Sequence, residues 1–220
     1  MQKDSIGNRM KQNYEGRARY KLIRRTPVIM RLDGKAFHTL TKQCERPFDE
    51  TFSVCIIETA KELLGQVQGA KCAYVQSDEI SILLTDFDGL KTDAWFDYNI
   101  QKMVSVSAGI ASAFFSKHWG CFGIFDSRVF NVPKEEVCNY FIWRQLDWCR
   151  NSLQMLARAH FSHKELYKKN STDMHEMLSK KGVNWANLEG KWKNGAFLTK
   201  NNQQHPIFKD NRNLIEDFLK

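Results

Sequence analysis

The stretch Cys72 to Leu84, CAYVQSDEISILL, constrains the fold more than any other part of the chain. Ala73, Tyr74 and Val75 on one side, and Ile80, Ile82, Leu83 and Leu84 on the other, flank a polar centre, Gln76 to Glu79. β-Branched and aromatic residues in partial alternation, broken by a short polar turn, predict a β-hairpin. Hairpin tips usually carry Asn-Gly or Asp-Gly, which accept the positive φ of the turn. This tip is Ser77-Asp78-Glu79, with no glycine between Gly69 and Gly89. Adjacent carboxylates repel each other unless water or a cation compensates them. A lone acidic turn is usually just solvated; a second acidic strand end upstream makes this one a candidate site.

That second end lies in Thr26 to Leu40, TPVIMRLDGKAFHTL. Val28, Ile29, Met30 and Leu32 predict a compact apolar strand ending at Asp33-Gly34. Gly34 would let the backbone approach a ligand, and the amides of Lys35, Ala36, Phe37 and His38 could then face an anion. A basic, proline-marked loop, Lys42 to Asp49, follows. Thr51 to Leu64 carries the apolar pattern of a helix packed on a sheet. Strand, helix, then hairpin is the first half of a split β-α-β motif of the ferredoxin-like kind, a topology that brings Asp33 and Asp78 together.

Asp93 to Phe115 reads as one long helix, with small residues implying close packing on the sheet and Lys102 near the acidic cluster. Phe122 to Val132 supplies a further strand carrying Arg128, and Lys134 to Ala159 a long aromatic helix whose Tyr140, Phe141, Trp143, Trp148 and Leu153 belong to a core. The N-terminal segment predicts a helix over Ser5 to Tyr20, packing Ile6, Met10, Tyr14 and Leu22 or leading Arg17, Arg19, Lys21, Arg24 and Arg25 toward a phosphate backbone. From about His160 the chain turns to Lys, Asn and Gly. Short apolar pieces there predict a small helical appendage, in which Trp185, Lys191, Trp192, Lys193 and Phe197 could contact RNA. The expected division is a palm-type catalytic domain with a basic N-terminal helix over residues 1–155 and a helical, basic extension over 156–220.

The 33 basic and 25 acidic residues give a net charge of +8, a balance that favours polyanionic partners. No apolar run approaches the length of a membrane helix or the core of a signal peptide. The six cysteines form no Cys-x-x-Cys pair, which points to a reducing, cytoplasmic setting rather than a zinc or disulfide framework. His160 and His163 have no second pair nearby and read as surface residues.

If Asp33, Asp78 and Glu79 converge, they form a hard oxygen site for Mg²⁺, which takes one or two carboxylates together with phosphate oxygens. Two such ions about 4 Å apart stabilise the attacking and leaving oxygens of an in-line displacement. An Asp at a strand tip beside an acidic hairpin is the palm arrangement of polymerases and nucleotide cyclases.

RLDGKAFHTL, the loop ending ERPFDE, YVQSDEISILL, FDSRV and FIWRQLDWCRNS, in that order over roughly residues 28–155, resemble the tRNA-His guanylyltransferases and the related Thg1-like proteins. The resemblance implies an α+β fold: a ferredoxin-like polymerase palm, an antiparallel sheet with helices packed on one face. It implies 3′-to-5′ nucleotide addition to tRNA, with two Mg²⁺ ions held by Asp33, the Gly34 carbonyl and Asp78, and Glu79 beside them as a catalytic residue. It further implies that Lys35, Ala36, Phe37, His38 and Ser77 hold a triphosphate, that Arg46 and Asp49 lie near the nucleotide, and that Lys102 contacts phosphate. Arg128, Arg150, Asn151 and Ser152 fall at RNA-facing positions. ATP or GTP would activate a 5′ monophosphate, and a homotetramer is the implied assembly. Members acting on tRNA-His carry His-Ile-Asn-Asn where this chain has Cys149, Arg150, Asn151 and Ser152, so only Asn151 is kept. That departure points to the Thg1-like branch, which repairs 5′-truncated tRNA with the opposite strand as template. Three rival readings are addition of a single 5′ guanosine to tRNA-His, a palm-type nucleotide cyclase, and a catalytically silent RNA-binding module.

Overall fold

The computed structural model describes residues 5–220. Helix α1 (Ile6–Asn13) leads to β1 (Val28–Gly34), the short α2 (Phe37–Leu40) and α3 (Glu50–Gln66). Strands β2 (Ala70–Gln76) and β3 (Glu79–Leu84) form the hairpin, followed by α4 (Ile100–Trp119), β4 (Phe125–Asn131) and α5 (Lys134–His160). The C-terminal segment contributes α6 (His163–Leu166), α7 (Ser171–Lys180), α8 (Gly190–Asn194), β5 (Ala196–Leu198), β6 (Gln203–Gln204) and α9 (Asn213–Glu216). All six strands join one sheet in the order β4-β1-β3-β2-β5-β6, and every pairing is antiparallel. The α+β class and the antiparallel palm are as the sequence implies.

Period-two alternation divides the sheet into two buried faces. Val28, Met30, Leu32, Ile80, Ile82 and Leu84 meet α3 and α4 through residues such as Ile56, Leu63, Met103 and Phe115. On the other face Ile29, Tyr74 and Leu83 meet Val137 and Phe141 of α5, together with Phe197, Phe208 and Ile215 from the C-terminal segment. The palm's own helices thus share one face, and α5 with the chain's end covers the second. Because β1 and β3 are buried on both faces, a one-residue slip would exchange their whole apolar sets, so their register is strongly specified. That register places Asp33 opposite Glu79 of β3 and Asp126 of β4.

The C-terminal segment is helical where it covers Leu153, Leu156 and Ala157 of α5 with Met174 and Leu178. It then returns to the sheet, where β5 pairs with β2. Helix α5 runs unbroken through residue 155, and Phe197 is a core residue rather than an RNA contact. No helix among the described residues is long and apolar enough to cross a membrane, and all six cysteines are free.

Four other expectations are corrected. Helix α4 starts at Ile100, not Asp93: the Asn99 side chain caps the Lys102 amide, while Phe96, Asp97 and Tyr98 adopt left-handed dihedrals that break any earlier turn. Ile6, Met10 and Tyr14 are exposed, and of the four residues expected to pack only Leu22 reaches the core. Most of the basic N-terminal cluster is already paired: Arg19 with Glu15, Lys21 with Asp97, and Arg24 with the fully buried Asp86 at 2.6 Å. Asp86 also accepts the Arg25 amide at 2.9 Å, and the Arg25 guanidinium donates to the carbonyls of Gly89 and Leu90. Trp143, expected in the core, is 53% exposed with the Arg144 guanidinium 4.5 Å from its ring centroid.

Candidate active site

The site begins with a row of side chains on the α5 face of the sheet. Asp33, Glu79 and Asp126 are cross-strand neighbours on β1, β3 and β4, and alternation aims all three to the same side. Asp78 stands at the hairpin tip beside them. The two-residue turn is made without glycine because Ser77 itself takes φ +49°, a conformation that costs a non-glycine residue on the order of 1 kcal/mol.

The carboxylates divide sharply by partner. Glu79 is gripped by Arg144 of α5, whose Nε donates to Oε1 and Nη2 to Oε2, both at 2.7 Å. Gln76 donates to Oε1 at 3.0 Å, and Ser81, which shares a hydrogen bond with Tyr140, lies behind. Asp33 and Asp78 form no ion pair among the described residues. Burial pushes Asp78 up to about 6, with the neighbouring charge of Asp33 adding to the effect. Burial also raises Asp33, reinforced by Glu79 and Asp126. Asp126 is held by Arg128 at 2.8 Å, so Arg128 faces this row as the strand pattern implies.

Among the described residues, no three His, Cys, Asp or Glu side chains form a metal-holding group. The donors on offer are the carboxylates of Asp33 and Asp78 and backbone oxygens such as that of Gly34. This set fits Mg²⁺, which completes its octahedron with water and phosphate oxygens. Two half-buried carboxylates that are raised by burial and by neighbouring negative charge, and that form no ion pair, are the groups a divalent cation relieves.

Beside the carboxylates a pocket opens between the loop that carries Arg46 and Asp49, the hairpin tip at Ser77, and α5 at Trp148. Its outer wall is Trp192 of α8, stacked on Phe48 with centroids 4.8 Å apart and planes 8° from parallel. Asp49 caps α3: although burial works against it, the amides of Phe52 and Glu45 donate to its carboxylate and hold its pKa low. Asp49 therefore shapes the loop, while Arg46 is exposed on the rim.

Of the four amides expected to face an anion, that of Lys35 is used by the Ile124 carbonyl at 2.7 Å. Ala36, at φ +56°, turns the chain so that α2 can start. The Phe37 side chain is buried among Phe52, Phe115 and Phe125, and the side chains of Lys35 and His38 are exposed. Phe37 also explains Gly34 differently from a ligand's approach: a Cβ there would fall 2.5 to 2.7 Å from the Phe37 ring. Gly34→Ala is accordingly expected to destabilise the ligand-free protein by about 1 to 3 kcal/mol. Urea denaturation without nucleotide or metal measures this, and an unchanged midpoint would return Gly34 to a purely ligand-facing role.

Lys102 is not brought to the carboxylates. Ser107, five residues on, is the residue that faces the sheet, bonded to Ser127 at 2.8 Å. Lys102 points about 140° away from it round the helix and lies exposed beside Phe96. Ser152 is also not available to RNA, being buried, donating to the Trp192 carbonyl and accepting from Trp185 Nε1 at 3.0 Å. Arg150 is exposed and paired with Asp147, and Asn151 lines the carboxylate cleft. Sequence reasoning missed Arg144, Asp126 and the Phe48–Trp192 wall. A signal for the first existed: Arg144, Asp147, Asn151, Gln154 and Arg158 recur at helical spacing along one stripe of α5, and all line the cleft.

Comparison with known proteins agrees with this geometry. Residues 7–133 match the family model Thg1, tRNAHis guanylyltransferase. The tRNA(His) guanylyltransferase of Debaryomyces hansenii is 28% identical over 204 residues, covering 81% of this chain and 75% of that protein. An uncharacterised protein of Acanthamoeba polyphaga mimivirus is 26% identical over 231 residues, covering 90% and 77%. A bacterial Thg1-like protein solved in complex with ATP aligns with a TM-score of 0.94 and 43% identity, covering 98% of this chain and 99% of that one. Its complex with GTP gives 0.88 and 42%. The family model covers more than half of the sequence, and the palm and its carboxylates lie within it or beside it: the chain belongs to the tRNAHis guanylyltransferase (Thg1) family of nucleotidyltransferases.

Proposed function

We propose that this chain is a Mg²⁺-dependent, template-directed nucleotidyltransferase that restores missing nucleotides at the 5′ end of tRNA. The observation that carries the reading is the pair of uncompensated carboxylates, Asp33 and Asp78, in a cleft that shares Gln76, Ser77 and Trp148 with a neighbouring pocket walled by stacked aromatic rings. Two divalent ions bound there would supply charge neutralisation to the phosphates as the 3′-hydroxyl of an incoming nucleotide displaces the activating group from the RNA 5′ end. The chain's residues do the rest. Arg144 neutralises Glu79, so the pair of aspartates carries the site's free negative charge. The Ala36, Phe37 and His38 amides and Arg46 face the phosphate side, and the Phe48–Trp192 wall holds a base. ATP and GTP, the ligands of the bacterial Thg1-like relative, are the expected activating nucleotides.

Repair is favoured over guanylylation of tRNA-His by what occupies the divergent positions. Cys149 donates to the Lys193 carbonyl at 3.2 Å and Ser152 binds Trp192, so two of the four positions anchor the C-terminal segment instead of reading RNA. The reading includes a cytoplasmic setting and a homotetramer, in which the exposed Ile6 and Met10 of α1 and the adjoining Tyr14 would be covered.

The test incubates two end-labelled tRNAs, one lacking its first 5′ nucleotide and one full-length tRNA-His, with Mg²⁺ and all four nucleoside triphosphates. Filling of the truncated end to match the opposite strand, stopping at full length, is the expected result. Guanosine added only to full-length tRNA-His would assign the chain to the other branch. Extension of neither would move the reading to a cyclase or a silent binding module.

A further inference from the structure

The carboxylate cleft does not end at the hairpin. Gln154 and Arg158 line it, and the same two side chains line a second groove between the end of α5 and α6–α7. Arg158 lies about 21 Å along the helix from Arg144, at 1.5 Å per residue, a length of several nucleotides. His163, Tyr167 and Lys168 complete the second groove. Tyr167 is 65% exposed, with the Lys168 ammonium 5.4 Å from its ring centroid. Arg158 has no acidic partner among the described residues, and Glu165, the nearby carboxylate of α6, is turned back to cap Ser162 through that residue's amide and hydroxyl.

We infer that this groove binds the unpaired nucleotides adjoining the reacting end of the RNA, the 3′ tail of an acceptor stem. The inference rests on the tRNA reading above and extends it to residues 158–168. A cationic track with one exposed aromatic face is the arrangement that holds single strands: the charges follow the backbone, and the ring stacks an unpaired base whatever its identity. A base inside a duplex has no free face to offer Tyr167. The groove's continuity with the carboxylates through Gln154 and Arg158 selects the strand end beside the reacting 5′ terminus.

The test uses two 5′-phosphorylated RNA hairpins that mimic an acceptor stem, one with a short single-stranded 3′ overhang and one blunt. Wild type is expected to bind the overhang form more tightly. The Tyr167→Ala, Lys168→Glu double variant is expected to lose about tenfold on that form, with a shallower salt dependence. Its affinity for the blunt hairpin, its ATP binding and its melting temperature should stay unchanged. Equal losses on both hairpins would overturn the assignment to unpaired nucleotides. Unchanged affinity on both would overturn the groove while leaving the 5′-end reading intact. Wild type that binds ATP but neither hairpin would overturn both.

Discussion

Replacing Asp78 with asparagine is expected to reduce nucleotide transfer about a thousandfold or more and, at the same time, to stabilise the metal-free protein. The two effects have one cause. Asp78 is held near 6 in the folded protein against an ordinary value of 3.8, chiefly by burial and then by the charge of Asp33. A raised value means that the folded state favours the protonated form. The resulting stability is fully present below about pH 4 and is lost as pH rises through about 6. At neutral pH the ionised side chain therefore costs the apo protein stability, at most about 3 kcal/mol and, with solvent reaching the turn, on the order of 1 to 2 kcal/mol. Melting curves of both proteins with a chelator, from pH 4 to pH 8, should separate between about pH 4 and pH 6 and stay apart above that. Added Mg²⁺ should then raise the wild-type melting temperature and leave the variant's unchanged. An active variant, or curves that stay superimposed at pH 7, would overturn the role given to this side chain.

Arg144→Met should produce the largest loss of stability of any single substitution in the cleft. Both guanidinium bonds to Glu79 are 2.7 Å long, and the two side chains are only 9% and 11% exposed. Removing the cation strands a buried carboxylate, a change that costs about 3 to 5 kcal/mol. Adding Glu79→Gln should return much of that loss, because the neutral amide no longer needs a counter-ion. Urea denaturation of the four proteins of the cycle gives the coupling directly. A loss below about 1 kcal/mol for Arg144→Met would show that the pair is well hydrated and unimportant.

The palm was legible in the chain because its signals are one-dimensional. β1 and the hairpin are short apolar runs with polar ends, and the spacing between Asp33 and Asp78 admits a helix that crosses back over the sheet. Features that depend on distant partners were not legible. Arg24 looked like a phosphate ligand because Asp86, which binds it, lies 62 residues away in sequence. The start of α4 was misplaced because nothing in the composition of Asp93 to Asn99 marks a break, which shows only in the left-handed dihedrals of Phe96, Asp97 and Tyr98. Arg144 was hidden among the aromatic residues of α5, which dominate any reading of that helix by hydrophobicity. Phe197 looked like part of a basic, aromatic surface because nothing local shows that the chain returns to the sheet there.

That return has a consequence for how the protein comes into being. Trp192 completes the base-facing wall, and β5 beside it closes on β2, an element made more than a hundred residues earlier. During synthesis the palm can therefore emerge and collapse with its carboxylates in place while its nucleotide pocket still lacks a side. A nascent chain interrupted before α8 would carry the carboxylates and the phosphate-facing loop but only one ring of the Phe48–Trp192 wall, so the pocket is completed only when α8 and β5 have been made.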